Sequence, residues 1–197
     1  MKQSSNSPGD IPIILFERQK DWADWLDQHH AESAGVWLRL AKKASGIQSV
    51  SYDEAVEVAL CYGWIDGQKK SYDDTAWLQK FTPRGAKSVW SKLNREKAER
   101  LIAGGKMKPA GLQAVEAAKR DGRWESAYDS QSRATVPDDF QAALDTHTEA
   151  KAFFATLNSA NRYAILWRIQ TAKKAETRAR RIQQFIEMLE KGEKLYP

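Results

Sequence analysis

Residues 51–94 read SYDEAVEVALCYGWIDGQKKSYDDTAWLQKFTPRGAKSVWSKLN. Ser51 and Glu54 form a Ser-x-x-Glu capping box, so a helix starts here. Ala55, Val56, Ala59 and Leu60 make its inner face, and Gly63 supplies a left-handed C-cap. Trp64 and Ile65 then open a short strand, with a turn expected at Asp66–Gly67. Thr75 to Thr82, carrying Trp77 and Phe81, reads as a second strand, and Pro83 ends it because proline cannot donate to a ladder.

Upstream, Phe16 to Glu32 has the spacing of a helix, with Phe16, Trp22, Trp25 and Leu26 on one side. Val36, Leu38 and Leu40 alternate with Trp37, Arg39 and Ala41, the period of a half-buried strand. Lys42 to Ser49 is a loop around Gly46. Downstream the signals are all helical. Ser91 caps a helix to Ala103, stopped by Gly104–Gly105. Pro109 suits the first turn of a helix to about Arg120, stopped by Asp121–Gly122. Trp124 to Val136 is a polar connection. Pro137 starts a helix through Leu144, Thr146 and Glu149 form a second capping box, and Ser159 is a candidate cap. A last helix shows Ile182, Phe185, Ile186 and Leu189 on one face. Helix–strand–helix–strand–strand followed by about six helices lacks the regular alternation of a doubly wound sheet. The expected fold is therefore α+β: a small, mostly antiparallel sheet with packed helices, plus a helical C-terminal part. The expected organisation is a disordered leader at 1–10, a core domain at 11–124, a connection at 125–136 and a helical region at 137–197 docked on the core.

The N-terminal MKQSSNSPGDIPIILF has an apolar run too short for a signal h-region or a membrane span, which points to the cytoplasm. The single cysteine, Cys61, excludes an intramolecular disulfide and reads as a small buried hydrophobe. Net charge is +5, but it is unevenly spread. Residues 69–108 hold 11 basic and 4 acidic side chains, and residues 161–183 hold 7 and 1. These two islands either neutralise the acidic stretches of the chain or converge on an anion. Eight Trp suit cores first and binding faces second.

The familiar catalytic and phosphate-binding motifs are missing, as are cysteine pairs. Adjacent His29 and His30 at a helix end make a poor metal pair, so no metal and no cofactor are expected. Asp66, between an aromatic, a β-branched residue and glycine, is either a turn aspartate bonded to its own backbone, an anchor in a cleft, or one half of an ion pair. Arg84 follows a rigid strand end and presents a planar fork suited to carboxylate or phosphate. Trp90, Ser91 and Asn94 share the spacing of a helix start. The expected ligand-binding set is Trp64, Asp66, Arg84, Trp90 and Asn94. In the tail, Lys173, Arg178 and Arg181 form a candidate anion-binding set. Arg178 lies beside the apolar stripe and should find a carboxylate or carbonyl from outside its own helix, Asp66 being one candidate.

The block GWIDG at 63–67, with Pro83–Arg84, Trp90–Ser91 and Asn94, resembles the signature of the YdeI/OmpD-associated, or bacteriocin-protection, family. The tail IQTAKKAETRARRIQQFIEMLEKGEK at 169–194 is similar to that family's C-terminal signature, and the two likenesses cover most of 15–194. The resemblance implies a stress-resistance role of the kind linked to antimicrobial peptides, and a YjbR/CyaY-like grouping for the N-terminal part. It assigns no reaction, cofactor or catalytic residue. The reading that follows is a cytoplasmic binding protein, not an enzyme, whose partner is an unidentified small molecule or protein. Two alternatives stand beside it: a nucleic-acid-binding protein using the two basic islands, and a small-molecule enzyme using Asp66 and Arg84. The residues set no oligomeric state.

Overall fold

Strand β2 (Val36–Ala41) alternates buried and half-buried residues along its whole length. That period of two fixes which side of the sheet faces helices. In the computed structural model, which describes residues 11–197, β2 pairs antiparallel with β4 (Ala76–Pro83), and β4 pairs antiparallel with β3 (Trp64–Ser71). A two-residue strand β1 (Ile13–Ile14) adds to β2 in parallel, giving the order β1-β2-β4-β3. The leader expected at 1–10 lies outside the described residues. With eight α-helices among the described residues, the protein is α+β.

The chain divides into two units. The first comprises residues up to Ser88 together with Glu96–Asp121; the second comprises Val89–Arg95 with Gly122–Pro197. In the first unit, Val36, Leu38, Gln79 and Phe81 share one face of the sheet. Helix α1 (Gln19–His29) lays Trp22 on that face, 5.8 Å from Phe81, and the Trp22 indole N–H donates to the Ala55 carbonyl. Ala55 belongs to α2 (Tyr52–Cys61), so one hydrogen bond ties both helices over the sheet. The Ser51–Glu54 capping box is formed in both directions. Gly63 has φ +71°, the left-handed conformation expected of it. Helix α3 (Lys92–Ala103), which belongs to this unit from Glu96 on, and α4 (Pro109–Arg120) follow. Gly111 lets α4 approach α2 closely, since a Cβ there would sit 2.3 Å from the Cys61 carbonyl oxygen. Lys97, buried, reaches Asp53 in the first turn of α2 at 2.9 Å.

In the second unit, α5 (Asp138–Thr146), α6 (Thr148–Thr156), α7 (Ser159–Gln170) and α8 (Ala175–Glu190) enclose a core of Phe140, Leu144, Phe154, Ile165, Ile169, Phe185, Ile186 and Leu189. The expected α8 stripe is buried there, with Ile182 at its margin. Asn161 accepts from the Tyr196 amide and donates to its carbonyl, which pins the C-terminal residues to α7.

Three local readings need correction. Strand β3 does not turn at Asp66–Gly67. It continues to Ser71 through a bulge between Asp66 and Lys69, because β4 offers partners on both sides of the irregularity. Thr146 and Glu149 do not cap α6. The Thr146 hydroxyl donates back to the Ala143 carbonyl, and His147 ends α5 and begins α6. The cap of α7 is Asn158, whose side-chain oxygen accepts from the Asn161 amide, one residue before the expected Ser159.

Candidate functional site

The face of the sheet turned away from α1 and α2 carries the outward residues of each strand. Register places Trp37 beside Lys80, and it places Arg39, Leu78 and Lys70 in one row across β2, β4 and β3. Leu78 is buried beneath this layer, while Lys70 and Tyr72 are exposed. Trp37 lies under two ammonium groups: Lys70 Nζ is 4.7 Å from the ring centroid and Lys80 Nζ 5.8 Å. The Arg39 guanidinium sits 5.1 Å from the Tyr72 ring and donates to Asp73 at 3.0 Å. Asp73 is held below the usual carboxylate range chiefly by the hydrogen bond from Thr75, with Arg39 a smaller contributor. Three cations and two aromatic rings thus share one sheet face with a single engaged carboxylate.

Within sheet and helices, the expected site residues take these places. Trp64 is 1% exposed, its indole N–H donating to the His30 carbonyl and its ring edge-on to Trp22 and Trp25. Asp66, half-buried, accepts from the Tyr52 hydroxyl at 2.7 Å. Tyr52 also meets Trp77, over which Lys69 lies at 4.3 Å. The Arg84 amide donates to the Gly63 carbonyl. These three residues belong to the first unit, whereas Trp90 and Asn94 belong to the second. Trp90 is 1% exposed and packs against Trp124 at 4.9 Å. The Asn94 amide donates to Ser91 Oγ, so Ser91 opens α3 as expected.

In the tail, Arg178 donates to both Asp139 carboxylate oxygens at 2.6 and 2.8 Å and to the Ile169 carbonyl at 3.0 Å. Its expected outside partner is therefore present as Asp139, with Asp66 held elsewhere by Tyr52. Arg181 donates to the Arg168 carbonyl. An anion would have to compete with these contacts at Arg178 and Arg181. Lys173 is exposed.

A separate pocket of about 320 Å³ in the first unit is lined by Lys20, Glu57, Cys61, Tyr62, Lys106 and Lys108, among others. Burial, then the Glu57 charge, pushes the Cys61 thiol up. Burial and the hydrogen bond to Asp27 push the Tyr62 phenol up to about 12. Among the described residues, no group of three or more His, Cys, Asp or Glu could hold a metal ion, and no helix is long and apolar enough to cross a membrane.

The cation-bearing sheet face was partly legible. Alternation sets Trp37 and Arg39 outward, but cross-strand register alone brings Lys70 and Lys80 to them, with Tyr72 just past the end of β3.

Fold and geometry together describe an α+β unit with a decorated sheet face and a separate helical unit, and the comparisons divide along similar lines. A family model described as a domain of unknown function, DUF8412, matches residues 14–114, half of the chain, and one described as bacteriocin-protection, YdeI or OmpD-associated, matches residues 133–192. The chain belongs to the DUF8412 family through its N-terminal half, and its C-terminal helices match the bacteriocin-protection, YdeI or OmpD-associated domain. No curated protein and no solved structure matches it.

Proposed function

We propose that the protein is a bacterial stress-resistance protein of the bacteriocin-protection type, that it works in the cytoplasm, and that it acts by binding and not by catalysis. Its working surface is the outer face of the N-terminal sheet. The observation that carries this reading is the placement of Lys70 and Lys80 over the Trp37 ring. An outward Trp on a strand has no packing role in the helix-covered core, and cations over it hold a flat apolar surface ready for exchange with a ligand. The family description supports the resistance role. The Tyr52–Asp66 and Lys69–Trp77 contacts at the opposite face support a stable frame for β3.

The test is survival. A bacterial strain lacking the gene is complemented with the wild type or with a Trp37→Ala, Lys70→Ala, Lys80→Ala triple variant and challenged with a cationic antimicrobial peptide. The wild type is expected to restore survival and the variant to fail at equal protein level. Full protection by the variant overturns the face as the working surface. No protection by the wild type overturns the resistance role.

A further inference from the structure

We infer that the ligand of this outer sheet face is single-stranded nucleic acid; the inference rests on the proposal that this face is the working surface. Three features point there together. The first is charge. Arg39, Lys70 and Lys80 lie on one face within reach of a single extended strand, and ammonium groups resting on an aromatic ring are easily drawn to a phosphate.

The second is stacking. When Lys70 and Lys80 swing to phosphates, they uncover the Trp37 indole, and a base has a flat ring to occupy. Tyr72, 48% exposed and just past the end of β3, offers a second ring beside Arg39. Tyr72 follows β3, two strands over from Trp37 on β2 and so roughly 10 Å away in the pairing direction alone, which lets the two rings meet different bases and not one base twice.

The third feature is shape. A duplex keeps its bases inside its stack. Its major groove, about 12 Å wide, admits a helix or a two-stranded ribbon. Here the decorated face runs over three adjacent strands, β2, β4 and β3. At roughly 4.8 Å between strands, with long side chains standing on the outer two, that surface is too broad to enter the groove. A single strand laid across it meets both rings and all three cations.

The experiment measures fluorescence anisotropy of labelled oligo(dT), and of a labelled duplex of equal length, with the full chain over a range of salt. Tight binding of the single strand at low salt is expected, with much weaker duplex binding. Trp37→Ala should weaken the single-strand affinity about 5- to 150-fold, and Trp37→Phe should restore most of it. Lys70→Ala with Lys80→Ala should reduce the slope of log K against log salt by about 1.4. Lys173→Ala with Lys174→Ala removes the same charge from exposed positions on the other unit and should change the slope less. Circular dichroism and melting confirm that each variant is folded. The inference falls if no single strand binds at low salt, if the duplex binds equally well, if polyglutamate competes as well as oligo(dT), or if Trp37→Ala binds like the wild type. If oligo(dT) fails while survival still requires Trp37, only the ligand class is lost. If oligo(dT) binds through Trp37 while survival ignores it, the resistance role of the face is what fails.

Discussion

The two basic islands of this chain come to different ends. In the first, Lys70 and Lys80 stand over Trp37, and Lys69 stands over Trp77. In the second, Arg178 grips Asp139 and the Ile169 carbonyl, Arg181 and Arg168 donate to backbone carbonyls, and Arg162 lies over Phe154. The cause is architectural. A sheet has two faces, and α1 and α2 cover one, so the other carries the charged and aromatic side chains of Trp37, Arg39, Lys70 and Lys80, with Leu78 buried beneath them. Helices α5 to α8 close their stripes on each other, and arginines beside those stripes answer the carbonyls at helix ends. Similar charge therefore stands over aromatic rings on the sheet in one island, which also holds a buried Lys97 paired with Asp53, and fastens helices in the other. Sequence charge counts do not separate these outcomes; side-chain geometry does.

The comparison breaks most decisively on stability. Phe140 is fully buried and meets Phe154 edge-on at 5.5 Å. Phe140→Ala should cost about 3–5 kcal/mol in urea unfolding followed by far-UV circular dichroism. Trp37→Ala, on the outer sheet face, should cost less, about 1–2 kcal/mol, chiefly by removing two cation–π contacts. Equal losses would mean that Trp37 is a core residue and that the contrast between the units is mistaken.

How much of this was legible follows from what each feature depends on. The α2 capping box needs only Ser51 and Glu54, three residues apart, and it is present as read. The Gly63 cap is equally local. Strand β3 past Gly67 was not legible, because its bulge exists only against β4. Strand β1 is two residues long and owes its existence to β2. The capping-box pattern at Thr146 failed since a hydroxyl near a helix end has a competing acceptor in the preceding turn, here Ala143. Trp64 and Trp90 show the limit for sites. A tryptophan in a distinctive motif reads as a ligand contact, yet each of these two is buried against other tryptophans. The ring that stands on the outer face, Trp37, lies in a plain alternating strand.

A smaller effect sharpens the picture of the first unit. The outer face depends on β3 and β4 keeping register, and α2 covers the inner face. Ser51→Ala deletes the side-chain half of the cap, since Ser51 Oγ accepts from the Glu54 amide and also donates to the Glu54 carboxylate, while the backbone N–H of residue 51 still donates to Glu54. The expected loss is about 0.5–2 kcal/mol. Ser51→Asp, which keeps an acceptor, should recover much of it. A Ser51→Ala protein with unchanged unfolding would place the stability of α2 wholly in its buried face, Ala55 through Cys61.

The smallest expected effect concerns the fastening arginine. Asp139 accepts two hydrogen bonds from Arg178, which hold its carboxyl below the ordinary 3.8 against an opposing effect of burial. A carboxylate whose folded pKa is depressed adds stability that is fully present above the unfolded value and is lost as pH falls through the folded one. The Asp139 side chain is 46% exposed, so solvent screening limits the pair to about 1 kcal/mol or less. Asp139→Asn should therefore lower stability slightly and evenly between about pH 5 and 8, where Asp139 is ionised in both states. Below the ordinary 3.8 the gap between wild type and variant should close, because protonated Asp139 no longer offers Arg178 a charge. Asp21, Asp73 and Asp145, also depressed, acid-sensitise both proteins alike, so the difference between the two curves isolates Asp139. Arg178 keeps the Ile169 carbonyl in the variant, which is why the helix ends should stay joined. A gap that persists unchanged at pH 3 would mean that packing at Asp139, and not its charge, fastens α5 to α8.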